Sequence, residues 1–191
     1  MLCAARGLRR EETAAPAALF RLVRDMPYRR PPDPRPETLI RCWCATCSGK
    51  HVLLRGLFEE VGVEARLMIA TYRYTWSGEG DPPEEIAAVL AGGPVPDVHN
   101  YLDVRSDGGW RPVDATWPIA AAALGFPVNR AYVPGVAQAV ACTAPFTSWP
   151  VPDGADLAEY KEEVLRRHCG AERGRREAFI AGLVRFAASK M

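Results

Sequence analysis

The sequence predicts an α+β fold in which a buried helix packs on an antiparallel sheet and further helices lie at both termini. At 47–61, apolar residues recur at the spacing of a helix with one buried face, and Gly62 then supplies a helix stop. A β-rich run at 65–72 follows directly. Residues 97–114 contain two strand-like runs around a glycine-containing turn at 106–109, which is typical of a β-hairpin.

The other elements follow from local patterns along the chain. Residues 13–26 have helical periodicity with a proline in the first turn. Five prolines make 27–36 a stiff extended connector, and 37–44 is a short apolar lead-in to the buried helix. The β-rich run belongs to a strand predicted at 64–74. Further predicted elements are a helix at 84–90, a segment at 118–150 compatible with a short helix and strands, and two helices at 153–169 and 172–190.

Length and composition favour a single domain over 1–191, with a core at about 37–117 and C-terminal helices at about 153–190. Hydrophobic residues make up 48% of the chain, and the net charge of +1 produces no field that would attract nucleic acid or a membrane surface. No apolar run approaches the roughly 20 residues of a membrane span, and charges interrupt the N-terminus before a signal-like region forms. We therefore predict a cytoplasmic protein with reduced cysteines that binds neither nucleic acid nor membrane. The sequence does not indicate an oligomeric state.

Cys47 stands in the first turn of the predicted buried helix. The unpaired N–H groups and the positive end of the helix dipole favour a thiolate at this position. Because the thiolate is the nucleophilic form of cysteine, we predict that Cys47 is a nucleophile.

This cysteine, the helix after it and the turn at 62–66 resemble the core of the transglutaminase-like superfamily. In these papain-like enzymes a helix-capping cysteine precedes a Gly-Ile-Pro-Ala-Arg-like turn, and here Glu64 departs from that turn by replacing the usual proline. The spacing to the turn fits Cys47, whereas Cys42 and Cys44 lie too far upstream. The resemblance implies a transglutaminase-like, papain-like core.

The predicted hairpin carries a second part of the resemblance. Residues 99–117 are similar to the superfamily's strand pair, in which a histidine opens one strand and an aspartate closes the next before a threonine. His99 and Asp114 take those positions, and antiparallel pairing brings the far ends of a hairpin side by side. In all, the resemblance covers roughly residues 40–117.

The resemblance implies a Cys-His-Asp triad. In it Cys47 would be the nucleophile, His99 would take its proton, and Asp114 would fix the tautomer of the imidazole. Trp43 is a candidate oxyanion-hole donor beside the Cys47 backbone N–H. Papain relatives place an oxyanion-hole glutamine where this chain has Arg41, so the donor stays unassigned.

A substrate pocket is predicted beside His99. Asn100 and Tyr101 replace the more usual Ala-Trp there, and together with Trp117 they are the candidate pocket residues. The apolar, charge-poor segment 118–150 is expected to supply a dry wall.

Other functions for the polar residues near the nucleophile stay open. The alternatives for the cysteines at 42, 44 and 47 with His51 are half of a zinc site and a redox pair, although 142, 168 and 169 offer no matching second half for zinc. His51 is an alternative to His99 as the catalytic base. The structural alternatives for His51 are a position on the helix surface and a hydrogen bond to the backbone. Lys50 and the arginines at 166, 167, 173, 175 and 176 are expected to be solvated, and docking of an acidic partner is the alternative for these arginines. We predict no metal and no cofactor.

The chemistry of a triad leaves the acyl acceptor undetermined. The thioester it forms with an acyl group yields an acid with water, an amide with an amine, or a ring with an internal carbanion. A small free-standing triad protein with apolar flanks resembles the transglutaminase-like Dieckmann cyclases, which release polyketide–peptide chains as tetramic acids or pyridones in natural-product biosynthesis. That resemblance implies a carrier-protein-bound or small-molecule thioester as substrate. A transglutaminase-like amide-forming transferase, a thiol hydrolase or peptidase, and a non-catalytic Cys/His metal-binding protein are the alternatives.

Overall fold

The protein, described from residue 15 to residue 190 by a computed structural model, has the predicted α+β fold. The helices are α1 (Pro16–Arg24), α2 (Pro36–Cys42), α3 (Cys47–Glu60), α4 (Glu84–Leu90), α5 (Leu157–Cys169) and α6 (Arg173–Lys190). The strands are β1 (Ala65–Tyr74), β2 (Val95–Ser106), β3 (Gly109–Val113) and β4 (Phe146–Pro150). Short 3₁₀ helices at Ile119–Leu124 and Gly170–Glu172 complete the described elements.

The four strands form one antiparallel sheet in the order β3-β2-β1-β4. The central pair joins all 10 residues of β1 to β2, from Ala65 opposite Val104 to Tyr74 opposite Val95. β3 is shorter and ends where Val113 lies opposite Leu102. The first half of β2 therefore extends beyond the end of β3.

The predicted nucleophile helix α3 packs on this sheet. Leu54 and Phe58 of α3 are fully buried in a cluster with Leu102 and Val113 of the hairpin. Helices α1 and α2 pack against the same cluster, which explains how the helices before the core are held. The backbone of α3 packs closely against the preceding residues at Gly49, where an added Cβ would lie 3.0 Å from the Cβ of Ala45.

Helix α5 covers the sheet beside α3. Its Val164 and Leu165 pack on Ile69 of β1 and Val98 of β2. Helix α6 is held further along by Phe179, which is fully buried in a separate aromatic-rich cluster. As a result α5 brings residues from the C-terminal part of the chain close to the start of α3.

Several element boundaries differ from the sequence prediction. Residues 37–44 were expected to be a lead-in, but α2 is a regular helix that begins at Pro36, where proline suits the first turn. The N-terminal helix is shorter than 13–26, and its predicted residues 13 and 14 lie outside the described chain. In the part of the chain that is described, no helix combines the length and apolar character needed to cross a membrane. The single-domain assignment stays a prediction.

Candidate active site

His99 and Asp114 meet just beyond the end of the hairpin. Asp114 follows the last residue of β3, and His99 lies on the part of β2 that extends past that strand. His99 Nε2 is 2.8 Å from Asp114 Oδ2, and both side chains are buried. The hairpin therefore brings together two residues that are 15 positions apart in the sequence.

Backbone N–H groups hold the Asp114 carboxylate in place. Oδ1 accepts a hydrogen bond from the N–H of Thr116 and Oδ2 accepts one from Ala141, each at 2.9 Å. Burial alone would raise the pKa of Asp114, but His99 and these hydrogen bonds hold it well below its usual range. Asp114 is thus a fixed negative charge beside the imidazole.

Cys47 is the first residue of α3, as predicted, and its side chain is buried. Burial raises the pKa of its thiol, but Lys161, His99 and the backbone N–H of Asn100 outweigh burial and lower the pKa to about 6. The N–H of Asn100 is available because β3 has already ended at this point of β2. Cys47 is therefore a thiolate at neutral pH.

The imidazole of His99 carries the matching positive charge. Burial lowers its pKa, but Asp114 and the Cys47 thiolate together raise it to about 10. Because His99 Nε2 is hydrogen-bonded to Asp114, Nδ1 is the ring nitrogen that can exchange a proton with Cys47. The arrangement is a thiolate–imidazolium pair that is supported by a carboxylate.

His51 is held as a neutral buried imidazole. Its Nδ1–H donates to the carbonyl of Cys47 at 2.8 Å, and its Nε2 accepts from the N–H of Ala115 at 2.9 Å. Burial lowers its pKa to about 4. Both ring nitrogens are engaged, so His51 does not have a free nitrogen to act as the base for Cys47. It forms the backbone hydrogen bond that was considered for it, but it does not lie on the helix surface.

The expectation that Lys50 is solvated is wrong. Its side chain is fully buried, and Nζ donates to the carbonyls of Arg24 and Thr116 at 2.7 and 2.9 Å. Burial lowers its pKa to about 7. Arg176 was also expected on a solvated face, but it is buried with its Nε 2.8 Å from Asp97 Oδ1.

A polar cluster that the sequence did not reveal lies beside the thiolate. Lys161 of α5 places Nζ 3.7 Å from Cys47 Sγ and 2.9 Å from Ser48 Oγ. Ser48 in turn donates to Asn100 Oδ1 at 2.8 Å, and Asn100 Nδ2 donates to the carbonyl of Met68. No local motif marks Lys161, since it is 114 residues from Cys47 in the sequence.

The predicted oxyanion and pocket residues occupy different surroundings. Tyr101 stacks near His99, with ring centroids 6.4 Å apart, while Asn100 belongs to the polar cluster just described. Trp117 instead packs in the interior against Phe126 at a centroid distance of 4.4 Å. Trp43 ends α2 in the left-handed conformation, with φ +48°, and packs against the main core. Its role as an oxyanion donor stays a prediction.

An open groove of about 530 Å³ runs between α3 and α5 and reaches Ser48 and Lys161. Apolar side chains form much of its lining: Val52, Leu67, Leu157 and Leu165. Within the described chain, no residue of 118–150 lines this groove, and neither do Cys47, His99 and Asp114. That segment instead donates the Ala141 N–H to Asp114 and packs Cys142 near Tyr101.

The cysteines near the nucleophile do not form one cluster with His51. Cys42 Sγ and Cys44 Sγ lie 3.3 Å from each other, whereas Cys47 interacts with His99 and Lys161. His51 faces backbone groups. Between residues 15 and 190, no three or more His, Cys, Asp or Glu side chains are grouped so that they could hold a metal ion.

A comparison with models of known protein families gives a match. A family profile described as the transglutaminase-like superfamily matches residues 4–115, a span that includes Cys47, His99 and Asp114. Searches of curated proteins and of solved structures return no match. The chain belongs to the transglutaminase-like superfamily, whose members are typically cysteine-dependent transferases or hydrolases.

Proposed function

We propose that this protein is an acyl-transfer enzyme in which Cys47, His99 and Asp114 form the catalytic triad. The observation that carries the proposal is the buried chain of contacts from the Cys47 thiolate through His99 to Asp114, with 2.8 Å between the last two. In such a chain the nucleophile is already ionised and its proton is already on the base. The enzyme therefore does not need to deprotonate Cys47 before it attacks.

In the first step the Cys47 thiolate attacks the carbonyl carbon of a thioester. The new C–S bond forms as the old one breaks, and the departing thiol takes the proton of the His99 imidazolium. This leaves acylated Cys47, a neutral His99 and an unchanged Asp114. A carrier-protein-bound or small-molecule thioester is the proposed acyl donor.

In the second step we propose an intramolecular Dieckmann cyclisation. Neutral His99 removes a proton from the activated methylene of the acyl chain, and the carbanion attacks the thioester carbonyl. The C–C bond closes a ring of the tetramic acid type, and Cys47 leaves as a thiolate. His99 has regained its proton, so the resting pair is restored without a net exchange of protons with solvent.

We prefer cyclisation over transfer to water or an amine because of the sequence resemblance to the small Dieckmann cyclases. Burial supports this preference: 7% of Cys47 and 3% of His99 are exposed, which limits the access of water to a thioester at this position. The open groove beside Ser48 favours the alternative, because water or an amine could enter along it.

The test supplies a β-ketoacyl-aminoacyl thioester of N-acetylcysteamine, with and without a large excess of a small amine. We expect a ring-closed product in both cases, and acylation of the wild-type protein but not of Cys47→Ala in intact-protein mass spectrometry. His99→Ala should block turnover, and Asp114→Asn should slow it by up to about 10⁴-fold, since the imidazole then adopts the wrong tautomer.

The products decide between the reactions. Amide that increases with added amine, without a ring, would identify a transferase, and acid alone would identify a hydrolase. Either result would overturn cyclisation and leave the triad standing. Full turnover by His99→Ala would overturn the triad itself.

A further inference from the structure

We infer that Lys161 is a catalytic residue that stabilises first the Cys47 thiolate and then negative charge on the bound acyl chain. By this inference the enzyme prefers acyl chains with a second carbonyl, a β-ketoacyl group above all, whose enolate can contact the ammonium. The inference rests on the proposed acyl-transfer function. Lys161 lies outside the residues 4–115 that match the superfamily, so it is a feature of this chain's C-terminal part.

The position of the ammonium group is fixed by a chain of hydrogen bonds. Lys161 Nζ donates to Ser48 Oγ at 2.9 Å, Ser48 donates to Asn100 Oδ1 at 2.8 Å, and Asn100 Nδ2 donates to the Met68 carbonyl at 3.0 Å. An ammonium has three N–H donors, and a second one reaches Cys47 Sγ at 3.7 Å. A lysine that was only solvated would not need this support.

The Cys47 thiolate is the anionic partner of Lys161. Among residues 15–190, no carboxylate forms an ion pair with Lys161 Nζ, although its helix neighbours do form such pairs, for example Glu162 with Arg173. Of the groups that lower the pKa of Cys47 against the effect of burial, Lys161 contributes most. The distance between the two side chains and the effect of Lys161 on the pKa of Cys47 therefore both identify the Cys47 thiolate as the partner of Lys161.

Acylation changes what Lys161 faces. When Cys47 becomes a thioester its sulfur is neutral, and the ammonium is left next to the acyl chain without its counter-charge. Removal of a proton from the chain by His99 then creates an enolate, whose oxygen carries the new negative charge. An ammonium beside that position stabilises the charge as it develops, which is the kind of interaction that accelerates a reaction.

The groove gives the acyl chain a route past Lys161. Lys161 and Ser48 line the groove, and its apolar residues suit a hydrophobic acyl chain. A volume of about 530 Å³ is within the range of small-molecule sites. Arg35 and Arg55 also line the groove, but Lys161 is the cation of its lining that contacts Cys47 Sγ.

The test uses Lys161→Met, Lys161→Arg and a control, Arg167→Met, which removes a cation from an exposed position of the same helix. First, iodoacetamide alkylation of Cys47 is followed against pH and mapped by peptide mass spectrometry. We expect a midpoint near pH 6 for the wild type, the control and Lys161→Arg, and a midpoint about one to three pH units higher for Lys161→Met. An unchanged midpoint in Lys161→Met would overturn the inference.

Second, the rate of ring closure on a β-ketoacyl-aminoacyl thioester and the rate of Cys47 acylation by an acetyl thioester are compared. Lys161→Met should lose at least about tenfold more on the first than on the second, because only the first creates an enolate. Equal losses would overturn the proposed preference. If the wild type accepts neither thioester while the alkylation midpoint still depends on Lys161, the acyl-transfer proposal fails and the link between Lys161 and Cys47 stands. Unfolding curves check that each variant is folded.

Discussion

Replacing His51 with phenylalanine should weaken the fold and the active site together. The ring of His51 joins the first turn of α3 to the backbone just after Asp114, through Cys47 O and the N–H of Ala115. Phenylalanine keeps a ring in the same space but leaves the Ala115 N–H buried without an acceptor. An unsatisfied buried group of this kind costs about 1–3 kcal/mol, so we expect a loss of that size in the free energy of unfolding at pH 7.5. His51→Gln, which retains an acceptor, should lose less.

The same interaction makes stability depend on pH. The pKa of His51 is about 4 in the folded protein and 6.5 in its unperturbed state. Between these values the unfolded chain binds a proton that the folded protein does not, so stability from this group falls as the pH decreases from 6.5 towards 4. A difference of about 2.5 pH units corresponds to about 3.4 kcal/mol in total, of which about 2 kcal/mol is lost by pH 5.

Urea unfolding of the wild type and of His51→Gln at several pH values measures this contribution. Because other groups titrate equally in both proteins, the difference between the two unfolding free energies isolates His51. We expect the advantage of the wild type to shrink by about 2 kcal/mol between pH 7.5 and pH 5. A difference that stays constant over this range would refute the buried neutral imidazole.

Activity measurements on the His51 variants distinguish a positioning role of His51 from a role as the catalytic base. We expect His51→Phe to lower acyl transfer by roughly ten- to hundredfold, because small displacements of catalytic groups are costly. The alkylation midpoint of Cys47 should stay near pH 6, since His51 is neutral there. A large shift of this midpoint in both His51 variants would mean that His51, not His99, takes the proton of Cys47.

Two further predictions concern the nucleophile and the buried ion pair. Cys47→Ala should abolish turnover and Cys44→Ala should not, and iodoacetamide at mildly acidic pH should label Cys47 first; preferential labelling of Cys44 would contradict the assignment. Arg176→Met should reduce the free energy of unfolding by about 3–5 kcal/mol, because it leaves the Asp97 carboxylate buried without its cation. Urea unfolding with Arg167→Met as the exposed control tests this, and equal losses in the two variants would contradict it.

The sequence predicted those parts of the fold that depend on local patterns. The start of α3 at Cys47 and the β2–β3 hairpin follow from periodicity and from turn residues, and both are present. The proximity of His99 and Asp114 follows from the hairpin as well, because the register with Leu102 opposite Val113 places Asp114 beside the part of β2 that carries His99. The interpretation of their catalytic roles still awaits the experiments above.

The error at Lys50 came from treating a polar side chain of α3 as exposed. Lys50 and His51 share the buried face of α3 with Cys47, Leu54 and Phe58, so helical periodicity alone would have placed them inside. Their polarity was taken as a sign of exposure, whereas each has buried partners. Those partners come from loops and helices distant in the sequence, and no local pattern reveals them.

The position of Lys161 could not be predicted from the sequence at all. Its contact with Cys47 depends on how α5 packs beside α3, which is decided by the cluster of Ile69, Val98 and Leu165. Nothing in the sequence near position 161 distinguishes it from an exposed helix lysine. The same packing determines the groove between α3 and α5, which the sequence therefore did not reveal either.

The charges of the site account for the presence of a second cation at the nucleophile. A buried thiolate and a buried carboxylate with only one imidazolium would leave an uncompensated negative charge, which is costly away from water. Lys161 with His99 balances Cys47 and Asp114 in the resting state. After acylation in the proposed reaction the sulfur and His99 are both neutral, and the charges of Lys161 and Asp114 still sum to zero. Enolate formation then adds one negative charge and returns one proton to His99, so the site remains neutral at each stage.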